Sequence, residues 1–320
     1  MDQAAIRKKL GIWFDANQRD LPWRRTRDPY AIWISEIMLQ QTRVAAVIPY
    51  YERFLTRFPD ASALAEASEV DVLNMWAGLG YYSRARNLQK AAGQVVAAGS
   101  FPSTLEGLLQ LAGIGSYTAA AVGSIAFGLP HPSVDGNVRR VVMRLAGDAG
   151  IDVDAVAGSL IDPRNPGRSN QALMELGAIV CIPGEPKCAE CPLKRYCAAQ
   201  RLGIQKQLPP PKVKAATLQK ARTLVVIRRR DKLLLVPSPR VAGFWDLPEP
   251  FEGVKLGAKV GMFRHAITNS QYSFEVREGR VDQKLVMGIA SARWFSRKDL
   301  EKYPLSTASK KALQCLESIE

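Results

Sequence analysis

Four closely spaced cysteines in the second half of the chain constrain its fold more than any other feature. They lie within 17 residues in the pattern C-x6-C-x2-C-x5-C and are Cys181, Cys188, Cys191 and Cys197. Four thiolates can close a tetrahedral site around zinc or hold an iron–sulfur cluster. The spacing matches neither ferredoxin pattern, so the residues alone leave iron and zinc open. The fifth cysteine, Cys315, is interpreted as a bystander thiol.

The charge of the chain is concentrated in its second part. The 320 residues carry a net charge of +14, and residues 201–320 hold 23 Lys and Arg against 11 Asp and Glu. Such an excess indicates a polyanionic partner. No apolar segment follows Met1 and no apolar run of about 20 residues occurs, so we expect neither secretion nor a membrane span. Clustered cysteines with one left over are typical of a reducing cytosol.

The hydrophobic pattern changes once along the chain, which predicts two domains. Residues 1–200 show helical spacing, for example over Ala31–Leu39, Val70–Trp76, Thr118–Phe127 and Asn170–Val180. A basic linker over 201–222 contains three consecutive prolines and predicts an extended spacer. Residues 223–320 contain short β-branched runs, which predict a hairpin turning at Arg230-Asp231, strands over Gln271–Val276 and Ala292–Phe295, and a final helix from about Ser306.

Two features of the helical part indicate chemistry. In LAGIGSYTA, Gly113 and Gly115 precede a predicted helix, and such a turn aims backbone N–H groups at an anion such as a phosphate. Glu36 lies on an otherwise apolar helix. It is either a salt-bridged structural residue or, if buried among aromatic side chains, a carboxyl group with a raised pKa that serves as a general acid.

Together these segments resemble the helix-hairpin-helix DNA glycosylases with a [4Fe-4S] loop, and most closely the MutY-type adenine DNA glycosylases. The segments that match are LPWRRTRDPYAIWISEIMLQQTRV from Leu21, LAGIGSYTA, SVDGNVRR and the cysteine pattern. The resemblance implies an α+β protein of two domains. An all-α glycosylase domain with a [4Fe-4S] cluster spans residues 1–200, and a shortened α/β Nudix-like domain follows the linker.

The resemblance also implies a catalytic set. Glu36 would protonate adenine N7 and later activate or position the water, and Asp135 would stay ionised and stabilise the oxocarbenium-like sugar. Asn137 would orient Asp135 or the water. Tyr117 stands where bifunctional members have a lysine that forms a Schiff base, which implies a monofunctional enzyme.

Further residues are assigned to DNA on the same basis. The residues that would hold the flipped adenine are Arg19, Trp23, Arg24 and Glu175. Gln41 and Thr42 would fill the space that the flipped base leaves in the duplex. Tyr82 and Ser83 would wedge into the DNA double helix. Phosphates would be bound by Gly113, Gly115, Lys187, Lys194 and Arg195. Arg139 and Arg140 are interpreted as phosphate contacts or salt bridges.

Residues 223–320 resemble the Nudix-like domain that reads 8-oxoguanine in this family. Glu252 is the only acid between Glu249 and Phe263, so we expect no Mg²⁺ site and no pyrophosphatase activity. Ile267, Thr268 and Asn269 stand where the family has Phe-Ser-His. Thr268 retains the hydroxyl of the family's serine, but the aromatic wedge of the phenylalanine and the ring nitrogen of the histidine are lost. We therefore expect these replacements to affect recognition of the lesion and to leave the adenine chemistry intact.

The sequence thus predicts a monomeric adenine DNA glycosylase of base excision repair, acting in the bacterial cytoplasm on the nucleoid. Its partner would be duplex DNA containing adenine opposite 8-oxoguanine or guanine. The alternatives are a catalytically silent DNA-binding module, a glycosylase of the same fold with altered opposite-base specificity, and a zinc-stapled protein. Residues 201–232 carry ten Lys and Arg and one acid, so we expect this segment to track the DNA backbone.

Overall fold

The computed structural model of the protein describes residues 2–211, 217–267, 269–281 and 291–317. Its α-helices are α1 Gln3–Asn17, α2 Pro29–Leu39, α3 Val44–Arg57, α4 Ala61–Glu66, α5 Glu69–Trp76, α6 Ser83–Ala98, α7 Leu105–Leu109, α8 Ser116–Phe127, α9 Gly136–Ala146, α10 Val153–Ser159, α11 Pro166–Ile179, α12 Ala198–Leu202, α13 Arg297–Lys302 and α14 Thr307–Glu317. The strands are β1 Leu218–Arg229, β2 Lys232–Pro237, β3 Trp245–Asp246, β4 Val254–Ile267, β5 Ser270–Val281 and β6 Arg293–Ser296. Short 3₁₀ turns lie at Pro22–Arg24 and Lys194–Tyr196.

The chain forms two compact units. The first comprises Met1–Glu66 and Asn87–Lys212, and the second comprises Ala67–Arg86 and Val213–Glu320. The segment Ala67–Arg86 joins the second unit through specific contacts. Arg86 donates a short hydrogen bond to the Ala242 carbonyl, and Asn74 Nδ2 donates to the Lys302 carbonyl at 2.7 Å.

The first unit is helical, and its core is built on three helices. The apolar residues of α1 recur every fourth position and pack with the apolar faces of α9 and α11, in a cluster that includes Ile6, Leu10, Phe14, Val138, Val142, Leu173 and Leu176. Cys181, Cys191 and Cys197 pack against the same cluster. The cysteine loop is therefore fixed to the two helices that carry Asp135 and Glu175.

The second unit is a mixed sheet in the order β3-β2-β1-β5-β4, with β6 paired to β2. β1 and β5 are parallel, and the other pairs are antiparallel. One face is buried under α14, where Ala308, Ala312 and Leu316 pack on Leu224 and Phe274. Residues 247–253, between β3 and β4, contain no helix.

Most predicted elements are confirmed, with shifted ends. The hairpin turns at Arg230, whose φ is +54°, and pairs Arg228 with Leu233. α11 begins four residues before the predicted start, because Asn165 caps it and Pro166 occupies its first turn. β1 begins at Leu218, so the last residues of the predicted linker are in a strand. Among the described residues, no helix is long and apolar enough to cross a bilayer.

Candidate active site

Glu36 lies near the end of α2, one of the most buried helices of the first unit. Asp28 caps α2 by accepting hydrogen bonds from the backbone N–H groups of Tyr30 and Ala31. Glu36 is only 5% exposed, and the Tyr117 hydroxyl donates to its Oε2 at 2.8 Å. Burial raises the pKa of Glu36 to about 7, although the hydrogen bond from Tyr117 acts in the opposite direction. The carboxyl group can therefore carry a proton near neutral pH.

Asp135 is held in place by local hydrogen bonds at the start of α9. It is the N-cap of this helix and accepts from the Val138 backbone N–H at Oδ1, at 2.7 Å. Asn137 Nδ2 donates to the other oxygen at 2.8 Å. Both oxygen atoms accept hydrogen bonds, so the orientation of the carboxylate is fixed before any ligand binds.

A second buried carboxylate, Glu175, is paired with two arginines. Arg19 donates through Nε and Nη2 at 2.8 and 2.7 Å, and Arg24 Nη2 donates at 2.8 Å. Glu175 is 1% exposed, and its burial alone would raise its pKa. The hydrogen bonds from Arg19 and Arg24 outweigh burial and lower the pKa of Glu175 to about 2. Glu36 and Glu175 thus differ in protonation at neutral pH.

One cavity of about 700 Å³ brings these groups together. Eleven of the predicted site residues line it: Arg19, Trp23, Arg24, Glu36, Gln41, Thr42, Gly115, Tyr117, Asp135, Asn137 and Glu175. The Trp23 ring packs edge-on against Tyr51, with the ring centroids 5.4 Å apart. The cavity therefore combines a protonatable acid, a positioned carboxylate and an aromatic wall.

The sequence interpretation missed other lining residues. Gln40 lines the cavity and its Nε2 donates to Thr118 Oγ1 at 3.2 Å. Met174 also lines it, with its sulfur 3.8 Å from the Tyr117 hydroxyl. Gln40 stands next to Gln41 in the same matching segment, and Met174 precedes Glu175. In the sequence, the signal that could have indicated Gln40 and Met174 was their position next to residues already assigned to the site.

Gly113 and Gly115 form the turn between α7 and α8. Gly113 has φ +76°, and a Cβ there would lie 2.6 Å from Asn87 Cβ, so only glycine fits. Gly115 is the N-cap of α8 and supplies no side-chain cap, which leaves the first-turn N–H groups of this twelve-residue helix for another acceptor. Gly115 borders the cavity, and Gly113 does not.

Tyr82 and Ser83 lie in the second unit and do not line the cavity. The Tyr82 ring packs on Phe244 with a centroid distance of 4.2 Å. The preceding loop takes left-handed conformations at Gly80 and Tyr81, and Trp76 Nε1 donates to the Gly80 carbonyl at 3.1 Å. Thr268 lies outside the described residues.

The four predicted metal ligands line one small cavity, and Lys187, Lys194 and Arg195 beside them are exposed. No three of the described Cys, His, Asp and Glu side chains close around a single metal ion. Arg144 Nη1 lies 3.4 Å from Cys181 Sγ and can hydrogen-bond to a ligand sulfur. Four thiol groups at one cavity, with a guanidinium beside one of them, are a donor set that fits an iron–sulfur cluster.

Arg140 links the cysteine loop to the positioned carboxylate. It is buried rather than directed at a surface phosphate, which corrects one part of the sequence interpretation. Its Nε donates to the Cys181 carbonyl at 2.7 Å, and its Nη2 donates to Asn137 Oδ1 at 2.8 Å. Asn137 in turn donates to Asp135, so the three side chains form a continuous hydrogen-bonded path.

Comparison with known proteins identifies the family. A family model described as HhH-GPD superfamily base excision DNA repair protein matches residues 34–158, a range that includes Glu36, Tyr117 and Asp135. The chain is 38% identical over 235 residues to adenine DNA glycosylase of Buchnera aphidicola, which covers 70% of this chain and 67% of that protein. The chain belongs to the adenine DNA glycosylase family. The family resemblance predicted from the motifs is confirmed.

Relatives from other organisms match the chain over different shares of their own length. Adenine DNA glycosylase of Mycolicibacterium smegmatis is 44% identical over 207 residues, covering 61% of this chain and 70% of that protein. The Homo sapiens adenine DNA glycosylase is 46% identical over 224 residues, covering 64% of this chain and 41% of the human protein. The chain thus spans about two fifths of the length of the mammalian relatives that it matches.

Solved structures support the helical fold of the family. A thermostable thymine-DNA glycosylase superposes with a TM-score of 0.59 at 28% identity, over 62% of this chain and 97% of that one. A trapped endonuclease III–DNA intermediate superposes with a TM-score of 0.55 at 23% identity, over 64% of this chain and 99% of that one, and shows the fold alone.

Proposed function

We propose that this chain is a monofunctional adenine DNA glycosylase that acts on duplex DNA. The observation that carries the proposal is the environment of Glu36, a buried carboxyl group with a pKa of about 7 in the same cavity as the hydrogen-bonded Asp135. A general acid is most effective when its pKa lies near the working pH. The relatives of the chain are adenine DNA glycosylases, which makes adenine the base to test first.

The proposed reaction assigns one role to each carboxyl group. Protonated Glu36 donates its proton to N7 of the flipped adenine, and the bond between N9 and the sugar C1′ breaks with its electron pair leaving on the base. The sugar becomes an oxocarbenium-like cation, which the Asp135 carboxylate stabilises. Water then adds to C1′ and gives a proton to the Glu36 carboxylate. The products are free adenine and an abasic site, and the acid is regenerated.

Tyr117 bears on what happens after the base has left. Its phenol has no amine to attack C1′, so no Schiff base forms with the sugar and the strand stays intact. Burial raises the pKa of Tyr117 well above its ordinary value, and the nearby Glu36 and Asp135 raise it further. The hydroxyl therefore stays protonated and acts as a hydrogen-bond donor to Glu36.

The rest of the cavity suits a flipped nucleotide. Its volume of about 700 Å³ exceeds what a base alone needs, and Trp23 provides an aromatic face. Glu175 stays ionised at neutral pH and orders Arg19 and Arg24 at the wall. We assign Gln41 and Thr42 to the partner strand, and Tyr82 and Ser83 to the duplex. We assign Gly113, Gly115, Lys187, Lys194 and Arg195 to phosphates.

We further propose that Cys181, Cys188, Cys191 and Cys197 hold a [4Fe-4S] cluster. When bound, the cluster would brace the loop without taking part in the reaction. Absorbance near 400 nm with four iron atoms per chain supports this assignment, and colourless protein containing zinc contradicts it.

The second unit is proposed to read the base opposite adenine. Ile267 is the last residue of β4 and pairs with Ser270, so the altered Ile267 lies at the end of β4, next to the start of β5. Because the segment 267–269 lacks the family's Phe and His, we propose that adenine is removed opposite both 8-oxoguanine and guanine. We retain the predicted division into a glycosylase domain, a DNA-tracking linker and a Nudix-like domain. A monomer acting on the nucleoid fits these assignments.

The experiment is single-turnover adenine release from four duplexes with adenine opposite 8-oxoguanine, guanine, cytosine or thymine. Each reaction is divided into two samples, and one of them is heated in alkali, which cleaves the DNA strand at abasic sites. We expect release opposite 8-oxoguanine and guanine, with strand breaks only after alkali. Strand breaks without alkali would contradict the monofunctional assignment. No release from any duplex would favour a silent DNA-binding module.

A further inference from the structure

Arg144 is a buried arginine of the first unit that the proposed reaction does not use. It lies in the last turn of α9 and is only 2% exposed. A buried guanidinium is costly unless it is hydrogen-bonded and paired, so its partners indicate what it holds. Its three side-chain acceptors lie 37, 38 and 64 positions later in the sequence, on the cysteine loop and at the start of the linker.

One of these acceptors is a sulfur atom. Arg144 lines the cavity of the four cysteines, and its Nη1 lies 3.4 Å from Cys181 Sγ. No Asp or Glu of the described ranges forms an ion pair with Arg144. Because buried charges in proteins are paired, the anion that Arg144 lacks has to come from this cavity. Cysteine thiolates that hold iron would supply it.

The same guanidinium also holds the start of the linker. Arg144 Nε donates to the Leu208 carbonyl at 2.8 Å, and Nη1 donates to the Ile182 carbonyl at 2.9 Å. Leu208 is only 7% exposed. A planar guanidinium presents its N–H groups in a fixed fork, so one side chain can bridge the linker and the cysteine loop.

Two further contacts attach residues 201–208 to the cysteine loop. Gln205 lines the cavity of the four cysteines. Lys206 forms an ion pair with Glu185, which lies between the first and second cysteines. The start of the predicted linker is therefore part of the wall of the cysteine cavity and not an extended spacer.

We propose that Arg144 is a positioning residue that couples the iron–sulfur site to the linker. Its guanidinium donates to the Cys181 sulfur, which favours the reduced and more negative state of a bound cluster, and it fixes Leu208 on the cysteine loop. Loss of the cluster removes the anion paired with Arg144 and thereby loosens the start of the linker. The sulfur contact has this effect only if the proposed [4Fe-4S] assignment holds, whereas the attachment of Leu208 does not depend on it.

The first experiment measures the one-electron midpoint potential of the iron-loaded protein without DNA. Arg144→Gln removes a positive donor beside a ligand sulfur, so reduction becomes less favourable. We expect the reduction equilibrium to fall at least about tenfold, which corresponds to about 59 mV. Arg164→Gln, an exposed arginine of the same unit outside the cavity, is the charge-matched control and should keep the wild-type potential.

The outcomes separate the inference from the cluster assignment. Equal potentials in iron-loaded wild type and Arg144→Gln would overturn the role of Arg144 at the sulfur. Wild-type protein without iron would refute the cluster assignment itself, and the attachment of the linker would still be tested by exchange.

The second experiment is hydrogen–deuterium exchange of the same proteins, followed by mass spectrometry. Residues 200–208 should exchange about tenfold faster in Arg144→Gln, because Leu208 has lost its buried donor, while a peptide from α1 keeps its wild-type rate. Removal of iron from the wild type should have the same effect. Unchanged exchange of 200–208 in both cases would refute the coupling, and an equal increase in α1 would reduce the effect to a general loss of stability.

Arg144→Lys keeps the proposal testable if Arg144→Gln fails to fold or to hold iron. It retains the positive charge, but a single ammonium group cannot reach three separate acceptors at once. We expect a potential close to that of the wild type together with fast exchange of residues 200–208. Wild-type exchange of this segment in Arg144→Lys would overturn the bridging role of the guanidinium.

Discussion

Replacing Tyr117 with phenylalanine removes a hydrogen bond that opposes the high pKa of Glu36. The phenol donates to Glu36 Oε2 at 2.8 Å and stabilises the ionised carboxylate more than the protonated one. Hydrogen bonds to charged groups contribute about 1.5–3 kcal/mol, and those between neutral groups about 0.5–1.5 kcal/mol. The difference of about 1–1.5 kcal/mol corresponds to about one pKa unit.

The expected result is a shift in the pH dependence of adenine release. Glu36 acts in its protonated form, so the rate falls as the pH rises through its pKa. In Tyr117→Phe this fall should move from about pH 7 to about pH 8, because the ionised form has lost its donor. Single-turnover rates between pH 5.5 and 9.5 on one duplex, at saturating enzyme, measure the shift.

The matched control is Tyr30→Phe. This variant removes another buried tyrosine hydroxyl from the first unit, one that donates to the Phe58 carbonyl at 2.9 Å outside the cavity. Its pH profile should match that of the wild type even if its stability falls. A Tyr117→Phe profile that stays in place or moves to lower pH would refute the assignment of Glu36 as the titrating acid.

Three further substitutions test the charges and hydrogen bonds of the first unit. Glu36 has a folded-state pKa above its unfolded value of 4.5, so stability is lost as the pH rises from about 4.5 through about 7, by about 3 kcal/mol. Glu36→Gln should remove this loss, so its free energy of unfolding in urea should exceed that of the wild type at pH 8. Equal stability of the wild type at pH 5 and pH 8 would contradict the raised pKa of Glu36. Glu175→Gln leaves Arg24, only 11% exposed, without its carboxylate, and should cost about 3 kcal/mol in the same assay. Because the pKa of Glu175 is about 2, that cost should be constant between pH 5 and 8, and a cost that vanishes at pH 5 would argue against the pairing. Arg140→Gln should lower the unfolding free energy by about 2 kcal/mol and slow adenine release, because Asn137 and the Cys181 carbonyl lose their donor. Arg164→Gln, at an exposed position of the same unit outside the cavity, is its control, and equal effects of the two would show that the buried path does not matter.

The parts of the site that the sequence could predict depend on local pattern. Glu36 stands alone on an apolar helix, and burial is the physical consequence of that pattern. Asp135 and Asn137 are two residues apart at a helix start, so their hydrogen bond follows from local geometry. The burial of Glu36 and the hydrogen bond between Asn137 and Asp135 could both be inferred without knowledge of the tertiary fold.

Other features depend on contacts between distant residues. Arg19 and Glu175 are 156 positions apart, and no spacing rule brings them together. They were assigned through family resemblance. Arg140 reads as an ordinary exposed cation beside Arg139, and only helix packing shows that it is buried. β4 escaped prediction because its two glycines and four basic or histidine residues mask the alternation of a strand.

The most direct test of the account is adenine release by Glu36→Gln and Asp135→Asn, with Glu66→Gln as an exposed carboxyl control in the same unit. All three are assayed on one duplex with adenine opposite 8-oxoguanine under single-turnover conditions, after binding of the duplex has been confirmed. The account predicts that both cavity variants bind DNA but release adenine at least about a hundredfold more slowly, and that Glu66→Gln matches the wild type. Wild-type release by either cavity variant would contradict the division of acid and stabiliser roles between Glu36 and Asp135.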